Sequence, residues 1–303
     1  MSGLGYISIA GSQALVARVA GSLNNTCVLT TASFTPGAQR IYCWGLGDSA
    51  GNACSNTSNR YCGELGKATD NENWGNGSRL MSDLTPVNIG LTGPEVPIDI
   101  AAGFKHICAI IAANSVAVSG VPICWGYNSN GQVGIDNTNT IGEDETPTTR
   151  AAVSNVKRLE MMGRSSCGII TDDTIKCWGR GTNGQLLGSN NTGTTGGGYN
   201  VHMGDDGNPN VSEAVAASFG TGLTVKVLGL GYYYGCAILS NDFMKCWGAQ
   251  YCGTGTNTTN NGCLMSGISA TLDNNAGSPT MMDSRYIGDA STEVGNSLPY
   301  VNH

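Results

Sequence analysis

Short apolar runs recur along this chain, each closed by Gly, Asn, Asp or Thr, and they fall into four sets of three. The leading runs are Ala17-Arg18-Val19-Ala20-Gly21, Asp99-Ile100-Ala101-Ala102-Gly103, Arg158-Leu159-Glu160-Met161-Met162-Gly163 and Val227-Leu228-Gly229-Leu230-Gly231. A second run, built around a cysteine, follows in each set: Asn25-Thr26-Cys27-Val28-Leu29, His106-Ile107-Cys108-Ala109-Ile110, Ser166-Cys167-Gly168-Ile169-Ile170 and Gly235-Cys236-Ala237-Ile238-Leu239. The third ends in Cys-Trp-Gly, at Cys43-Trp44-Gly45, Cys124-Trp125-Gly126, Cys177-Trp178-Gly179 and Cys246-Trp247-Gly248. Apolar runs this short, bounded by turn formers, predict β-strands rather than helices.

The sets are copies of one unit. After Cys-Trp-Gly the middle copies carry Gly131-Gln132-Val133-Gly134 and Gly184-Gln185-Leu186-Leu187-Gly188, while the first delays Gly63-Glu64-Leu65-Gly66 behind an insertion holding two cysteines. Pro86-Val87-Asn88-Ile89 and Pro299-Tyr300-Val301-Asn302 are candidates for a fourth strand. The chain then divides into units at about 6–66, 86–134, 153–188 and 223–253, with a terminal strand at 299–302. Successive repeat tryptophans lie 81, 53 and 69 residues apart. That exceeds the ~40 to 50 residues of an ordinary propeller blade, and Asn/Gly/Thr-rich loops absorb the excess.

Residues 98–134, from Ile98 through His106-x-Cys108-Ala109 to Gly134, and 156–188 resemble the repeats of the regulator of chromosome condensation family. The outer units match through their strands but not their loops. The resemblance implies an all-β fold, a β-propeller whose blades each hold a four-stranded antiparallel sheet. That family usually closes seven blades, and four units are visible here. Tyr6-Ile7-Ser8-Ile9-Ala10 is a candidate leading strand for the first blade, and Tyr300-Val301-Asn302 for the start of a fifth. An open arc, an arc completed by a partner and a closed four-bladed ring all fit this count. The family namesake, an exchange factor for a small nuclear GTPase, implies one alternative function.

Cysteine spacing gives a geometric expectation. Cys167 and Cys177 are ten residues apart, as are Cys236 and Cys246; Cys27 with Cys43 and Cys108 with Cys124 are sixteen apart. Three-residue turns at Thr171-Asp172-Asp173 and Ser240-Asn241-Asp242 set the first two pairs directly opposite in a hairpin. An even lengthening of the loop keeps that register in the other two. Opposed, non-hydrogen-bonded positions are close enough for a disulfide. Cys54 with Cys62 and Cys252 with Cys263 remain as pairs within loop insertions. Bridges that persist point to an extracellular or cell-surface or particle-surface setting. Sequons at Asn24, Asn56, Asn76, Asn190, Asn210 and Asn257 are glycosylation candidates under that reading.

Charge and chemistry narrow the picture further. Only 12% of residues are charged and the net charge is −7, without a Lys/Arg cluster, which argues against nucleic acid. No apolar run approaches the roughly 18 residues of a membrane helix. His106, His202 and His303 are scattered, no Cys-x-x-Cys or Gly-x-Ser-x-Gly occurs, and Asp172-Asp173 sit in a turn, so neither metal, cofactor nor catalytic group is expected. Trp44, Trp125, Trp178 and Trp247 read as repeat core. Tyr232-Tyr233-Tyr234 cannot all point inward from an alternating strand and are the binding candidates. The expected function is that of a non-enzymatic structural or binding element, with a protein partner or self-association and possible glycan contact. A lectin or inhibitor using the propeller face is a further alternative.

Overall fold

A computed structural model describes residues 8–9, 12–13, 15–31, 40–46, 63–67, 73–75, 79–143, 145–190, 201–207, 209–249, 286–287, 294–298 and 300–301. β1 (Ser8–Ile9) and β2 (Ser12–Gln13) form a separate small hairpin. The first sheet holds β3 (Val16–Gly21), β4 (Asn25–Thr30) and β5 (Ile41–Gly45). The second holds β6 (Val96–Ala102), β7 (His106–Ala112) and β8 (Val121–Gly126); the third β9 (Val156–Met162), β10 (Ser165–Ile170) and β11 (Ile175–Gly179). β12 (Val225–Leu230), β13 (Tyr234–Leu239), β14 (Met244–Ala249) and β15 (Tyr286–Ile287) make the fourth. All pairing is antiparallel, and the described residues include no α-helix.

The expected cysteine register is the observed one. Cys27 faces Cys43, Cys108 faces Cys124, Cys167 faces Cys177 and Cys236 faces Cys246, each as a direct rung and each a disulfide. Their Cα atoms are 4.0 to 4.1 Å apart, as in the close pairs of an antiparallel ladder. Both ten-residue hairpins turn through three residues that end on Asp173 and Asp242, each at φ 66° in the left-handed region. Asp172 and Asn241 close the turns by accepting from the N–H two residues on. Every leading strand also shifts register once, near Ala17, Ile98, Lys157 and Lys226. In the last two sheets the lysine at that bulge pairs with the turn aspartate, Lys157 with Asp173 and Lys226 with Asp242.

Four continuous strands per blade were expected, and the first three sheets have three. The outer segment touches the third strand at two separated points instead. Near Cys-Trp-Gly, Gly45 bridges Trp74, Gly126 bridges Ile141 and Gly179 bridges Met203, where the fourth sheet has β15 on Gly248. Toward the hairpin end, Val87 donates to Ile41, Ala151 to Pro122, Ala217 to Ile175 and Val301 to Met244. The described residues between these contacts belong to no strand. Tyr300 therefore lies on the outer edge of the fourth sheet, bridged to Lys245, and Val301 takes the place that Val87 has in the first. The leading strand of the first sheet is β3, and Ser8–Ile9 pairs with β2 instead.

Sheets pack in sequence order through their leading strands, with the apolar core between neighbours. Each junction is locked by a tryptophan. Trp125 donates its indole N–H to the Glu64 carbonyl at 2.9 Å, Trp178 to Gln132 at 3.0 Å and Trp247 to Gln185 at 2.9 Å. The acceptors all belong to the Gly-rich loop of the preceding sheet. Gln132 and Gln185 shape that loop by accepting, through Oε1, from the backbone of Asn130 and Asn183. Gly134, at φ 82°, is where the next indole sits: a Cβ there would lie 2.8 Å from Trp178 Nε1. These three tryptophans are fully buried, whereas Trp44 is only partly so, because among the described residues no blade precedes the first. Its assignment to the core thus holds only in part. No ring closes among the described residues.

Candidate functional site: aromatic and cationic side chains at the inner strand ends

The turns leaving the four leading strands meet at one end of the arc. Leu23 N–H donates to Phe104 O at 3.1 Å, Phe104 N–H to Gly163 O at 2.8 Å, and Gly163 N–H to Tyr232 O at 3.0 Å. A single line of backbone hydrogen bonds therefore passes through all four sheets. Within a sheet, the residue after Cys-Trp-Gly is tied to the same turn: Tyr127 donates to Lys105 O at 2.8 Å, Arg180 to Arg164 O at 2.9 Å and Ala249 to Tyr233 O at 2.9 Å. Side chains at these two positions must be neighbours.

They are aromatic and cationic. Phe104 of the second sheet meets Tyr232 of the fourth edge to face, with ring centres 5.0 Å apart, and Tyr232 meets Tyr233 at 4.3 Å. The approach is possible because Gly163 stands between them: a Cβ there would come within 2.8 Å of the Tyr232 ring. Arg164 lies 5.5 Å from the Tyr127 ring centre, Arg180 5.5 Å from that of Tyr233, and Lys105 5.6 Å from that of Phe104. Cations over ring faces are attracted by the ring quadrupole, worth about 0.5–1 kcal/mol when exposed and more when dry. Burial lowers the Lys105 ammonium below its ordinary pKa, opposed by the Glu64 carboxylate and reinforced by Arg164. Burial likewise raises the Tyr232 phenol, and Tyr233 adds to that shift.

Tyr232, Tyr233 and Tyr234 are all partly buried, and only the first two join this cluster's ring contacts. Sequence reasoning missed Phe104, Lys105, Tyr127, Arg164 and Arg180. Their signal was positional, since each follows the leading-strand glycine or the Cys-Trp-Gly of its own repeat. His106 is fully buried, with Nε2 3.0 Å from the Ser166 hydroxyl, which itself donates to Gln132 O at 2.8 Å. The imidazole must then donate from Nε2, leaving Nδ1 a buried acceptor without a partner. Burial depresses its pKa to about 3, so it is neutral and structural.

Of the sequons, Asn24 and Asn210 are exposed. Asn190 is fully buried and donates to Val201 O at 2.6 Å, so its amide is already engaged in packing and is no glycan acceptor in the folded chain. Asn56, Asn76 and Asn257, like Cys54, Cys62, Cys252 and Cys263, lie outside the described residues. Among the described residues no group of three or more His, Cys, Asp or Glu could hold a metal ion, and no helix is long and apolar enough to cross a membrane.

No family model matches this sequence. Solved structures do. Yeast RCC1 (Prp20), in its structure bound to Kap60, superposes with a TM-score of 0.52 at 14% identity, over 77% of this chain and 42% of its own. Prp20p from Saccharomyces cerevisiae, in a structure reported with its binding properties to Gsp1p and histones, gives 0.51 at 13% identity over 77% and 43%. Human WBSCR16 gives 0.53 at 16% over 84% and 56%. The fold is that of a β-propeller. This chain spans about half the length of those propellers, in keeping with four sheets in an unclosed arc. At such identities the likeness concerns the fold, and the resemblance seen in the repeats is supported to that extent.

Proposed function

We propose that this chain is a non-enzymatic binding element of an extracellular or surface assembly, and that the inner-end cluster is its contact face for an acidic segment of a protein partner. One observation carries the reading. In a chain of net charge −7, two partly exposed cations, Arg164 and Arg180, are gathered with Phe104, Tyr232 and Tyr233 on turns from three successive sheets, above the buried Lys105 and Tyr127. Arg and Tyr with partly buried apolar stems are the side chains that dominate protein contacts. Four disulfides favour an oxidising compartment, and exposed Asn24 and Asn210 leave room for glycans there.

An exchange-factor role, as for the family namesake, draws support only from the shared fold, and the disulfides sit poorly with a nuclear setting. The test is a peptide array of acidic, basic and neutral segments probed with the oxidised full chain. Retention of acidic peptides, reduced at least tenfold by Arg180→Ala and by Arg164→Ala, is the expected result. Binding that is indifferent to peptide charge, or unchanged in both variants, overturns it.

A further inference from the structure

The sheets at the two ends of the arc expose apolar side chains that their counterparts in the inner sheets bury. On the leading strands Val19, Ile100, Leu159 and Leu228 occupy one position, each opposite the residue after the bridged cysteine of the middle strand. Ile100, Leu159 and Leu228 are 5%, 3% and 3% exposed, covered by the sheet before them; Val19 is 67% exposed. At the other end the position two after that cysteine holds Leu29, Ile110, Ile169 and Ile238. The first three are 0%, 0% and 3% exposed, but Ile238 is 38% exposed and its ladder partner Val227 is 47% exposed. Val16, 40% exposed, and the partly buried Trp44 extend the first face.

The polar groups show the same unfilled ends. In the line of hydrogen bonds through the turns, each sheet donates an N–H to the carbonyl of the next. Among the described residues, the Leu23 carbonyl at the start and the Tyr232 N–H at the finish have no such partner. The position of Val227 makes the ion pair Arg18–Asp99 and takes the Leu159 N–H through Asp99 at the earlier junctions; in the last sheet it is apolar and faces outward.

We infer that the trailing face of the fourth sheet receives the leading face of the first sheet of a second copy of this chain. Val227 and Ile238 of one copy then cover Val19 and Val16 of the other, and Tyr232 N–H donates to Leu23 C=O. The two faces are the two halves of a junction that the chain builds three times internally, so the contact continues an interface already present. Each contact joins unlike faces, and two copies related by a two-fold axis make it twice and close into eight sheets, within the range of about four to eight found for propeller rings. The inference does not depend on the acidic-peptide reading of the inner-end cluster.

The test is the mass of the oxidised full chain by light scattering across a concentration series at physiological salt. The expected species has twice the 31.2 kDa of one chain. Val19→Glu and Ile238→Glu each yield a single-chain mass, and because both side chains are exposed, circular dichroism and disulfide count stay unchanged. Mixing the two variants restores a double mass, since one of the two junctions then has both native faces. A single-chain mass for the native protein overturns the inference, as do a double mass that survives both substitutions, a mixture that stays single, and an open-ended series of larger species.

Discussion

Trp178 donates its indole N–H across the junction of the second and third sheets to the main-chain carbonyl of Gln132, 3.0 Å away. The same carbonyl receives the Ser166 hydroxyl at 2.8 Å. A buried carbonyl left unpaired costs about 1–3 kcal/mol, so repeating this bond at three junctions makes the Gly-rich loops part of the fold's cohesion. Trp125→Phe and Trp247→Phe should each lower unfolding stability by about 1–3 kcal/mol in a denaturant titration, and Trp178→Phe by less, since Ser166 still donates to the Gln132 carbonyl. Trp44→Phe, at a partly buried position with no preceding blade among the described residues, should change it by less than about 0.5 kcal/mol. Equal losses at all four sites would remove the distinction between inner and end sheets.

Each disulfide closes a loop of ten or sixteen residues between directly opposed rungs. Restricting the unfolded chain to such loops is worth about 3 kcal/mol per bridge in the loop-entropy account. Replacing both Cys167 and Cys177 by Ser should therefore cost about that much, read as a fall in thermal midpoint. Replacing both partners avoids a free thiol that could exchange with the other bridges. An unchanged midpoint would mean that the hairpin is held by its ladder and turn alone.

His106 ties acid stability to burial. Its ordinary pKa of 6.5 is depressed to about 3 in the folded chain, so between those values the unfolded chain binds a proton that the folded chain excludes. The contribution is fully present above pH 6.5 and is lost as pH falls toward 3, by up to about 1.4 kcal/mol per pH unit. His106→Asn should flatten the stability profile between pH 6.5 and 5, a window in which most carboxylates remain ionised. Parallel profiles for the native and substituted chains would show that the imidazole is not held neutral.

Much of this architecture is legible in the residues because the repeat states each rule several times. Cysteine spacing fixes the register of Cys167 on Cys177, and polar residues that accept positive φ mark Asp173 and Asp242 as turn ends. The fourth strand was harder to read. Pro86-Val87-Asn88-Ile89 has strand composition, but it meets the sheet through the Val87 N–H, since Pro86 has no donor. Buried Asn190 shows why a sequon is silent on exposure. The inner-end cluster was hidden for a different reason. Phe104, Arg164 and Tyr232 are unlike in chemistry, and only the backbone bonds that join their turns reveal that they share one place.

Lys245 holds the outer segment of the fourth sheet from within. It is 1% exposed, donates from Nζ to the carbonyls of Phe219 at 2.8 Å and Gly295 at 3.0 Å, and lies 4.6 Å from the Tyr300 ring centre. Burial pushes its pKa below the ordinary lysine value, yet two carbonyls and a ring face stabilise the ammonium enough to keep it in place. Lys176 occupies the matching rung of the third sheet and is only partly buried. Lys245→Met preserves volume but leaves both carbonyls without their donor, a penalty of about 1–3 kcal/mol for each left dry. The segment should loosen locally before the sheets do. Hydrogen exchange should accelerate at Gly295 and Val301, whose N–H groups bond Ser218 and Met244, while the β13–β14 ladder keeps its protection. Lys176→Met should leave both regions unchanged. Faster exchange throughout the fourth sheet in the Lys245 variant would instead make this lysine a support of the whole blade.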